Sequence, residues 1–174
     1  QTGGSDQWGN LTSGVDLIHR AEGQSVHAIG TPLITNSDGR KFGKSEGNAV
    51  WLDPKLTSAY AMYQFWLNTD DADAADRRKV FTFPTRAEIG QVVAAHDAEP
   101  FRRIGQKRVA LEVTTLVHGA DAAAAAIAAS EALFGQGDLS TLDAATLASA
   151  LRELPHAELA AGTPVVSALV DTGL

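Results

Sequence analysis

The sequence of 174 residues contains no cysteine. This absence excludes a disulfide framework and a thiolate metal site, and it suits a reducing compartment. The sequence also has no apolar run of about 18 residues, so we expect no transmembrane helix and no membrane partner.

Positive charge is scarce, since 14 Lys and Arg residues face 21 Asp and Glu residues, which gives a formal net charge of −7. This balance argues against a protein whose whole surface binds nucleic acid. A local basic face can still bind RNA in an acidic chain. Basic residues cluster at 77–79 and 102–108, so positive charge is modestly segregated along the sequence.

The five histidines lie far apart and show no spacing typical of metal ligands. They are His19, His27, His96, His118 and His156. We therefore predict neither a protein-bound metal nor histidine catalysis. The sequence does not group a nucleophile, a base and an acid. This favours a reaction that is catalysed by positioning the substrates and stabilising charge.

Two glycines precede an acid and an amide at the start of the sequence. Gly3 and Gly4 allow a ligand to approach the backbone closely. The carboxylate of Asp6 accepts hydrogen bonds from hydroxyls such as those of a ribose, and Gln7 offers both a donor and an acceptor. Asp6 is also a good helix N-cap, so both interpretations of this residue stay open.

Two lysines and a hydroxyl lie close together in a polar, glycine-rich segment, residues 40–47. Lys41 and Lys44 are three residues apart, and Ser45 follows them. Such a surface loop neutralises negative charge on a phosphate chain during group transfer. The alternative is a solvated basic loop without a function.

The two segments together resemble the tyrosyl-tRNA synthetase family, the bacterial type of these class I aminoacyl-tRNA synthetases. Residues 3–10 are similar to the GSDQWGN stretch of that family, and residues 41–45, KFGKS, are similar to its KMSKS loop. Two motifs at a family-like separation are a far more specific signal than a lone Lys-x-x-Lys-Ser. The resemblance continues through residues 51–53, 65–71, 106–108 and 113–119.

The resemblance implies an enzyme that activates tyrosine with ATP and transfers the tyrosyl group to tRNA(Tyr). ATP enters as a substrate together with Mg²⁺, which is bound mainly through the phosphates. No other cofactor is implied. The family also implies L-tyrosine and tRNA as partners, a homodimer of the full-length chain, and the cytoplasm as the location.

Roles for the nucleotide-binding residues follow from the same resemblance. Gly4 and Asp6 match family positions that hold the ribose of ATP and of the adenylate, and Lys44 joins them there. Lys41, Lys44 and Ser45 match the catalytic loop that stabilises the leaving pyrophosphate.

The amino acid and the tRNA have their own candidate residues. Gln1 matches a position lining the tyrosine pocket, and Gln7 matches one near the carboxyl end of tyrosine. A basic helical face is a candidate tRNA contact, with a solvated face as the alternative. Its residues are Arg102, Arg103, Lys107 and Arg108.

The expected fold is α/β followed by all-α. By resemblance, residues 1–52 form the C-terminal part of a Rossmann-like catalytic domain with its KMSKS-type loop. Residues 53–162 form the helical domain that binds the anticodon arm, and residues 163–174 lead into a C-terminal RNA-binding domain that the sequence lacks. The HIGH motif of the family is also missing, so we expect these 174 residues alone not to charge tRNA.

Local signals predict the individual elements. Apolar spacing and capping residues indicate a strand that ends at residue 4, a helix from 8 to 20 closed by Gly23, and a buried strand at 26–29. A cap at Asp53 with Pro54 predicts a helix to residue 67, and a capping box starts another helix at Thr85. Further helices are predicted at 70–79, 101–118 with Ile104, Leu111 and Leu116 inward, 121–134, 140–154 and 165–170.

Two other functions are compatible with the residues. Tryptophanyl-tRNA synthetase has a related fold, a GxDQ stretch and a KMSKS loop, but Trp8 and the Phe42-Gly43 variant favour tyrosine. The second alternative is a non-catalytic paralogue that keeps the fold as an RNA-binding module. The two intact lysines, Lys41 and Lys44, argue against it.

Overall fold

A computed structural model describes residues 1–42, 49–135, 137–152 and 159–172. The chain divides into two compact units, Gln1–Ala49 and Val50–Leu174. The described part of the first unit contains strands and a helix, and that of the second is helical. The predicted order, α/β followed by all-α, is confirmed.

The first unit is a small β-α-β arrangement. Strand β1 (Thr2–Gly4) pairs in parallel with strand β2 (Ile29–Thr31), and helix α1 (Trp8–Glu22) connects them after a 3-10 turn. Gly23 ends α1 as predicted, with a left-handed φ of 66° and its N–H donating to the carbonyl of His19 at 3.0 Å. Glycine adopts this φ without the steric cost that a Cβ brings.

The strand predicted at residues 26–29 is wrong in both position and burial. β2 begins at Ile29, which is 59% exposed. The pairing of Thr2 with Ile29 and of Gly4 with Thr31 fixes this register through the backbone. Main-chain pairing decided the position, whereas the apolar side chains had suggested an earlier one.

A short hairpin follows β2. Thr35 pairs with Lys41 in an antiparallel bridge, and the N–H of Phe42 donates to the carbonyl of Ile34 at 3.0 Å. Gly39, with φ of 81°, completes the turn between the two arms. The hairpin thereby fixes the backbone position of Lys41.

The second unit is built around one central helix, α5, which packs against α2, α3, α4 and α6. Its buried face combines apolar and polar side chains, and Val109 and Ala110 are at most 1% exposed. Trp66 also lies in this core, at 4% exposure. The helices are α2 (Ala59–Leu67), α3 (Asp71–Phe81), α4 (Arg86–Ala98), α5 (Ile104–His118), α6 (Ala120–Phe134), α7 (Ala144–Arg152) and α8 (Val165–Asp171).

The start of α4 and the end of α5 agree with the sequence signals. The hydroxyl of Thr85 accepts a hydrogen bond from the N–H of Glu88, and the N–H of Thr85 donates to the carboxylate of Glu88 at 2.7 Å. This is the predicted capping box. Gly119, with φ of 90°, follows α5 as predicted.

The predicted start of α2 is wrong. The helix begins at Ala59, and the hydroxyl of Ser58 caps it by accepting from the N–H of Ala61 at 3.1 Å. The carbonyl of Asp53 instead accepts from the N–H groups of Leu56 and Thr57, which closes an isolated turn. Two good N-caps compete in this segment, and only the second one starts the packed helix.

The predicted inward face of α5 is also partly wrong. Leu116 is 61% exposed, whereas Gln106 and Thr114 are fully buried. The NH₂ group of Gln106 donates to the carbonyl of Thr69 and to the carboxylate of Asp71. A polar side chain can occupy a core position when partners of this kind surround it.

Candidate functional site

The first motif lies where β1 turns into α1. Gly4 is the last residue of β1, and Asp6 lies in the 3-10 turn that follows. A Cβ on Gly4 would lie 2.8 Å from Oδ1 of Asp6 and 3.3 Å from Cδ1 of Leu33. Glycine at this position therefore lets the carboxylate of Asp6 lie directly against the backbone.

Asp6 does not cap α1. The N-cap of that helix is Gln7, and it makes no side-chain cap hydrogen bond. The interpretation of Asp6 as a simple helix cap is therefore wrong, and its carboxylate interacts elsewhere.

The carboxylate of Asp6 binds the first lysine of the second motif. Nζ of Lys41 lies 3.1 Å from Oδ2 of Asp6, and both side chains stay partly exposed, at 45% and 33%. Hydrogen bonding from Lys41 lowers the pKa of Asp6, partly opposed by desolvation, and the charge of Lys41 and the Gln7 side chain lower it further. Asp6 therefore stays ionised as an acceptor for hydroxyl or ammonium groups.

Gln7 lies beside this pair, and its amide is held by Asn10. Nδ2 of Asn10 donates to Oε1 of Gln7 at 2.9 Å. In the sequence, Asn10 stands out only as part of a motif. The available signal was the spacing, since residues three apart in this region lie on the same side of a helix.

Gln1, the other candidate for tyrosine, lies on the same side of α1 as Gln7. Oε1 of Gln1 lies 2.9 Å from the position that a Cβ on Gly14 would occupy. Gly14 comes seven residues after Gln7, about two helical turns along the same face. Gly3 contacts this face as well, because a Cβ there would lie 3.2 Å from Cβ of Gln7.

The second motif is described only in part. Lys41 and Phe42 are placed, whereas Lys44 and Ser45 lie outside the described residues. The structure thus brings Gly4, Asp6 and Lys41 together.

The candidate tRNA residues of the second unit differ in their surroundings. Nε of Arg108 lies 2.7 Å from the carboxylate of Glu112, and Nη1 of Arg102 lies 2.8 Å from that of Glu99. Lys107 is exposed between them, and among the described residues it has no carboxylate partner. Arg102, Lys107 and Arg108 line one shallow depression of about 290 Å³.

Arg103 differs from its neighbours because it stabilises the fold. Its Nη2 donates to the carbonyl of Leu67, at the end of α2, at 2.6 Å. Among the described residues it is the one non-glycine with a positive φ, 53°. A cation at the C-terminal end of a helix is favourable, and this contact offsets a strained backbone.

The described residues include no group of three or more His, Cys, Asp or Glu side chains arranged to hold a metal ion. Among the same residues, no helix has both the length and the apolar character that crossing a membrane requires.

Comparison with known proteins identifies the family. Residues 1–135 match the family model of tRNA synthetases class I (W and Y). The chain is 71% identical over 175 residues to a tyrosine–tRNA ligase of Leifsonia xyli subsp. xyli, and 57% identical to one of Streptomyces avermitilis. Both alignments take in all of this chain but only 40% and 42% of the relatives, so the chain spans about two fifths of their length.

Solved structures give the same result. A C-terminally truncated mitochondrial tyrosyl-tRNA synthetase of Aspergillus nidulans is similar with a TM-score of 0.63 and 31% identity, over 77% of this chain and 40% of that chain. The corresponding protein of Coccidioides posadasii gives a TM-score of 0.60 at 31% identity, over 72% of this chain and 37% of that one. All four of these relatives are tyrosine enzymes by name, which does not favour the tryptophan alternative. The chain belongs to the class I tRNA synthetases of the tryptophan and tyrosine family, and its resemblance to tyrosyl-tRNA synthetases is confirmed.

Proposed function

We propose that the full-length protein carrying this sequence is a tyrosine–tRNA ligase. It joins tyrosine to ATP, forming tyrosyl-adenylate and pyrophosphate, and then transfers the tyrosyl group to tRNA(Tyr). The family match and the named relatives support this assignment.

The nucleotide contacts belong to the first unit. Asp6 accepts hydrogen bonds from the ribose hydroxyls, and Gly4 allows the ribose to lie against the backbone. The contact with Lys41 lowers the pKa of Asp6, and the ionised carboxylate offers acceptors only, as ribose hydroxyls require.

The KFGKS loop stabilises the charge that moves onto pyrophosphate. Lys41 lies beside the ribose-binding carboxylate, so a short movement of its flexible side chain reaches the phosphate chain. Lys44 and Ser45 add donors from the same loop. Mg²⁺ arrives with the nucleotide and balances phosphate charge, held mainly by the phosphate oxygens.

Gln1 and Gln7 hold the amino acid. They lie on one side of α1, about two helical turns apart, and the amino acid spans the distance between them. This placement brings the tyrosine carboxyl group close to the nucleotide-binding carboxylate of Asp6, as the joining of the two substrates requires.

The second unit binds tRNA. Residues 53–162 act as the domain for the anticodon arm, with a lead-in to a further RNA-binding domain at 163–174. Lys107, Arg102 and Arg108 are the proposed backbone contacts, and Arg103 supports them. The enzyme works as a cytoplasmic homodimer.

The contact between Asp6 and Lys41 is the observation that carries the proposal, because it joins the ribose motif to the pyrophosphate motif. The test is amino-acid-dependent exchange of pyrophosphate into ATP by the full-length protein, with tyrosine and tryptophan compared. We expect exchange with tyrosine alone. Exchange with tryptophan alone would assign the sister specificity, and exchange with neither, while tRNA still binds, would favour the non-catalytic paralogue.

A further inference from the structure

The amide of Gln7 has a defined orientation. A glutamine side chain offers one carbonyl oxygen and one NH₂ group, and the two ends recognise opposite partners. The oxygen of Gln7 accepts from Nδ2 of Asn10 at 2.9 Å. Its NH₂ group is therefore the end that faces away from Asn10.

The other neighbour of Gln7 favours the same orientation. Hydrogen bonding from the Gln7 side chain is one of the causes that lower the pKa of Asp6, after those from Lys41. A carboxylate accepts only, so Gln7 must turn its NH₂ group towards it. Both neighbours therefore favour the orientation in which the NH₂ group of Gln7 points away from Asn10.

Capping of the N-terminus of α1 does not account for the contact between Asn10 and Gln7. Gln7 is the N-cap residue of α1, yet its side chain makes no cap hydrogen bond. Asn10 is the third residue of α1, where alanine has the higher helix propensity. Asparagine at this position instead provides a side-chain donor that alanine lacks, and this donor fixes the orientation of the Gln7 amide.

We propose that Asn10 is a positioning residue that orients the Gln7 amide, so that its NH₂ group is presented to the carboxylate of the amino acid substrate. This proposal rests on the proposed function and deepens it. It assigns the selectivity for a carboxylate to two residues. Gln7 contacts the substrate, and Asn10 orients the amide of Gln7. A ligand without the carboxylate gains nothing from that orientation.

Two substitutions in the full-length protein test the role of Asn10. Asn10→Ala removes the donor and lets the amide rotate. Asn10→Asp replaces the donor by an acceptor, which attracts the NH₂ group of Gln7 and turns its oxygen towards the substrate. Ser13→Ala is the matched control, because Ser13 lies on the same helix and its hydroxyl donates to the carbonyl of Gly9, at 2.8 Å.

The measurements are the KM for tyrosine in pyrophosphate exchange and the inhibition constant of tyrosinol, whose hydroxymethyl group replaces the carboxylate. We expect Asn10→Ala to raise the KM for tyrosine about five-fold, the size of one hydrogen bond, and to leave kcat and tyrosinol inhibition nearly unchanged. Asn10→Asp should raise the KM further, by about ten-fold or more. Ser13→Ala should match the wild type.

A double variant tests the route of the effect. If Asn10 acts through Gln7, then Asn10→Ala has no further effect on the KM for tyrosine once Gln7→Ala is present. Additive effects, an equal loss of tyrosine and tyrosinol affinity, or an Asn10→Asp variant with wild-type KM would overturn the positioning role. A wild-type protein without tyrosine-dependent exchange would instead overturn the proposed function, and the inference with it.

Discussion

Nζ of Lys41 lies 3.1 Å from Oδ2 of Asp6, although 35 residues separate the two in the sequence. The hairpin that pairs Thr35 with Lys41 brings the lysine to the turn after β1. The two motifs that the sequence analysis related only by resemblance are therefore in direct contact.

The first prediction concerns the pKa of Asp6. Lys41→Ala removes the main cause of its lowering, so the pKa of Asp6 should rise towards its ordinary value of 3.8. Because the folded-state pKa is the lower one, the stabilisation by this pair is complete above pH 3.8 and is lost as the pH falls through the lowered value. An NMR titration of the Asp6 carboxyl carbon measures the shift.

The control for this titration is Arg40→Ala. Arg40 neighbours Lys41, but its guanidinium pairs with Asp38 at 3.5 Å. Its removal should leave the pKa of Asp6 unchanged. An unchanged pKa of Asp6 in Lys41→Ala would contradict the contact.

The second prediction concerns the stability of the helical unit. Arg78 is only 2% exposed, and it donates to the carbonyl of Glu88 at 3.0 Å and to the carboxylate of Glu112 at 3.3 Å. Arg78→Ala should lower the free energy of unfolding by about 3 kcal/mol, because it leaves a cavity and unpaired acceptors. Urea unfolding followed by circular dichroism measures the loss.

The neighbouring residue Lys79 provides the control. It forms an exposed pair with Asp76 at 2.7 Å. Exposed pairs contribute little, so Lys79→Ala should cost less than about 1 kcal/mol. Equal losses for Arg78→Ala and Lys79→Ala would show that the buried network does not stabilise this unit.

The third prediction concerns the backbone of Arg103. Arg103→Gly and Arg103→Ala both lose the bond to the carbonyl of Leu67, but only glycine is relaxed at φ of 53°. The free energy of unfolding of Arg103→Gly should therefore be about 1 kcal/mol higher than that of Arg103→Ala. At Arg102 φ is not positive, so the alanine variant should be more stable than the glycine variant. Thermal unfolding of the four variants measures both differences.

The fourth prediction concerns tRNA binding by the helical unit. Lys107 has no carboxylate partner among the described residues, so its charge is available to a phosphate, whereas Arg108 is paired with Glu112. Lys107→Ala should weaken tRNA binding and make the slope of log K against log salt shallower by about one. Lys79→Ala should leave the slope unchanged. A slope that stays the same in Lys107→Ala would remove this residue from the interface.

Elements with local signals were predictable from the sequence. Gly23 after α1, the capping box from Thr85 to Glu88, and Gly119 after α5 each depend on backbone hydrogen bonds within a few residues. Such interactions need no knowledge of the rest of the fold. All three boundaries were predicted.

Features that depend on distant partners were not predictable. The start of α2 moved from Asp53 to Ser58, because two equally good caps were present and packing decided between them. The burial of Gln106 depends on Thr69 and Asp71, which lie more than thirty residues earlier. Periodicity alone placed Leu116 on the inward face of α5, but Leu116 is exposed, whereas the polar residues Gln106 and Thr114 are buried.

The candidate site shows the same division. Resemblance supplied the residue types and their proposed roles, and it named Asp6, Gln7 and Lys41. It did not indicate that Lys41 binds Asp6 or that Asn10 holds the oxygen of Gln7, because these are contacts between side chains in the fold. These contacts define how the side chains of the motif residues are oriented in the site.

The most direct test of the account is whether Asp6 and Lys41 serve one nucleotide. Tyrosine-dependent exchange of pyrophosphate into ATP should be measured in the full-length wild type, in Asp6→Ala, in Lys41→Ala and in the double variant. The account predicts that each single variant loses about 100-fold in kcat/KM for ATP, and that the double variant loses less than the product of the two. Wild-type exchange in both single variants would contradict it.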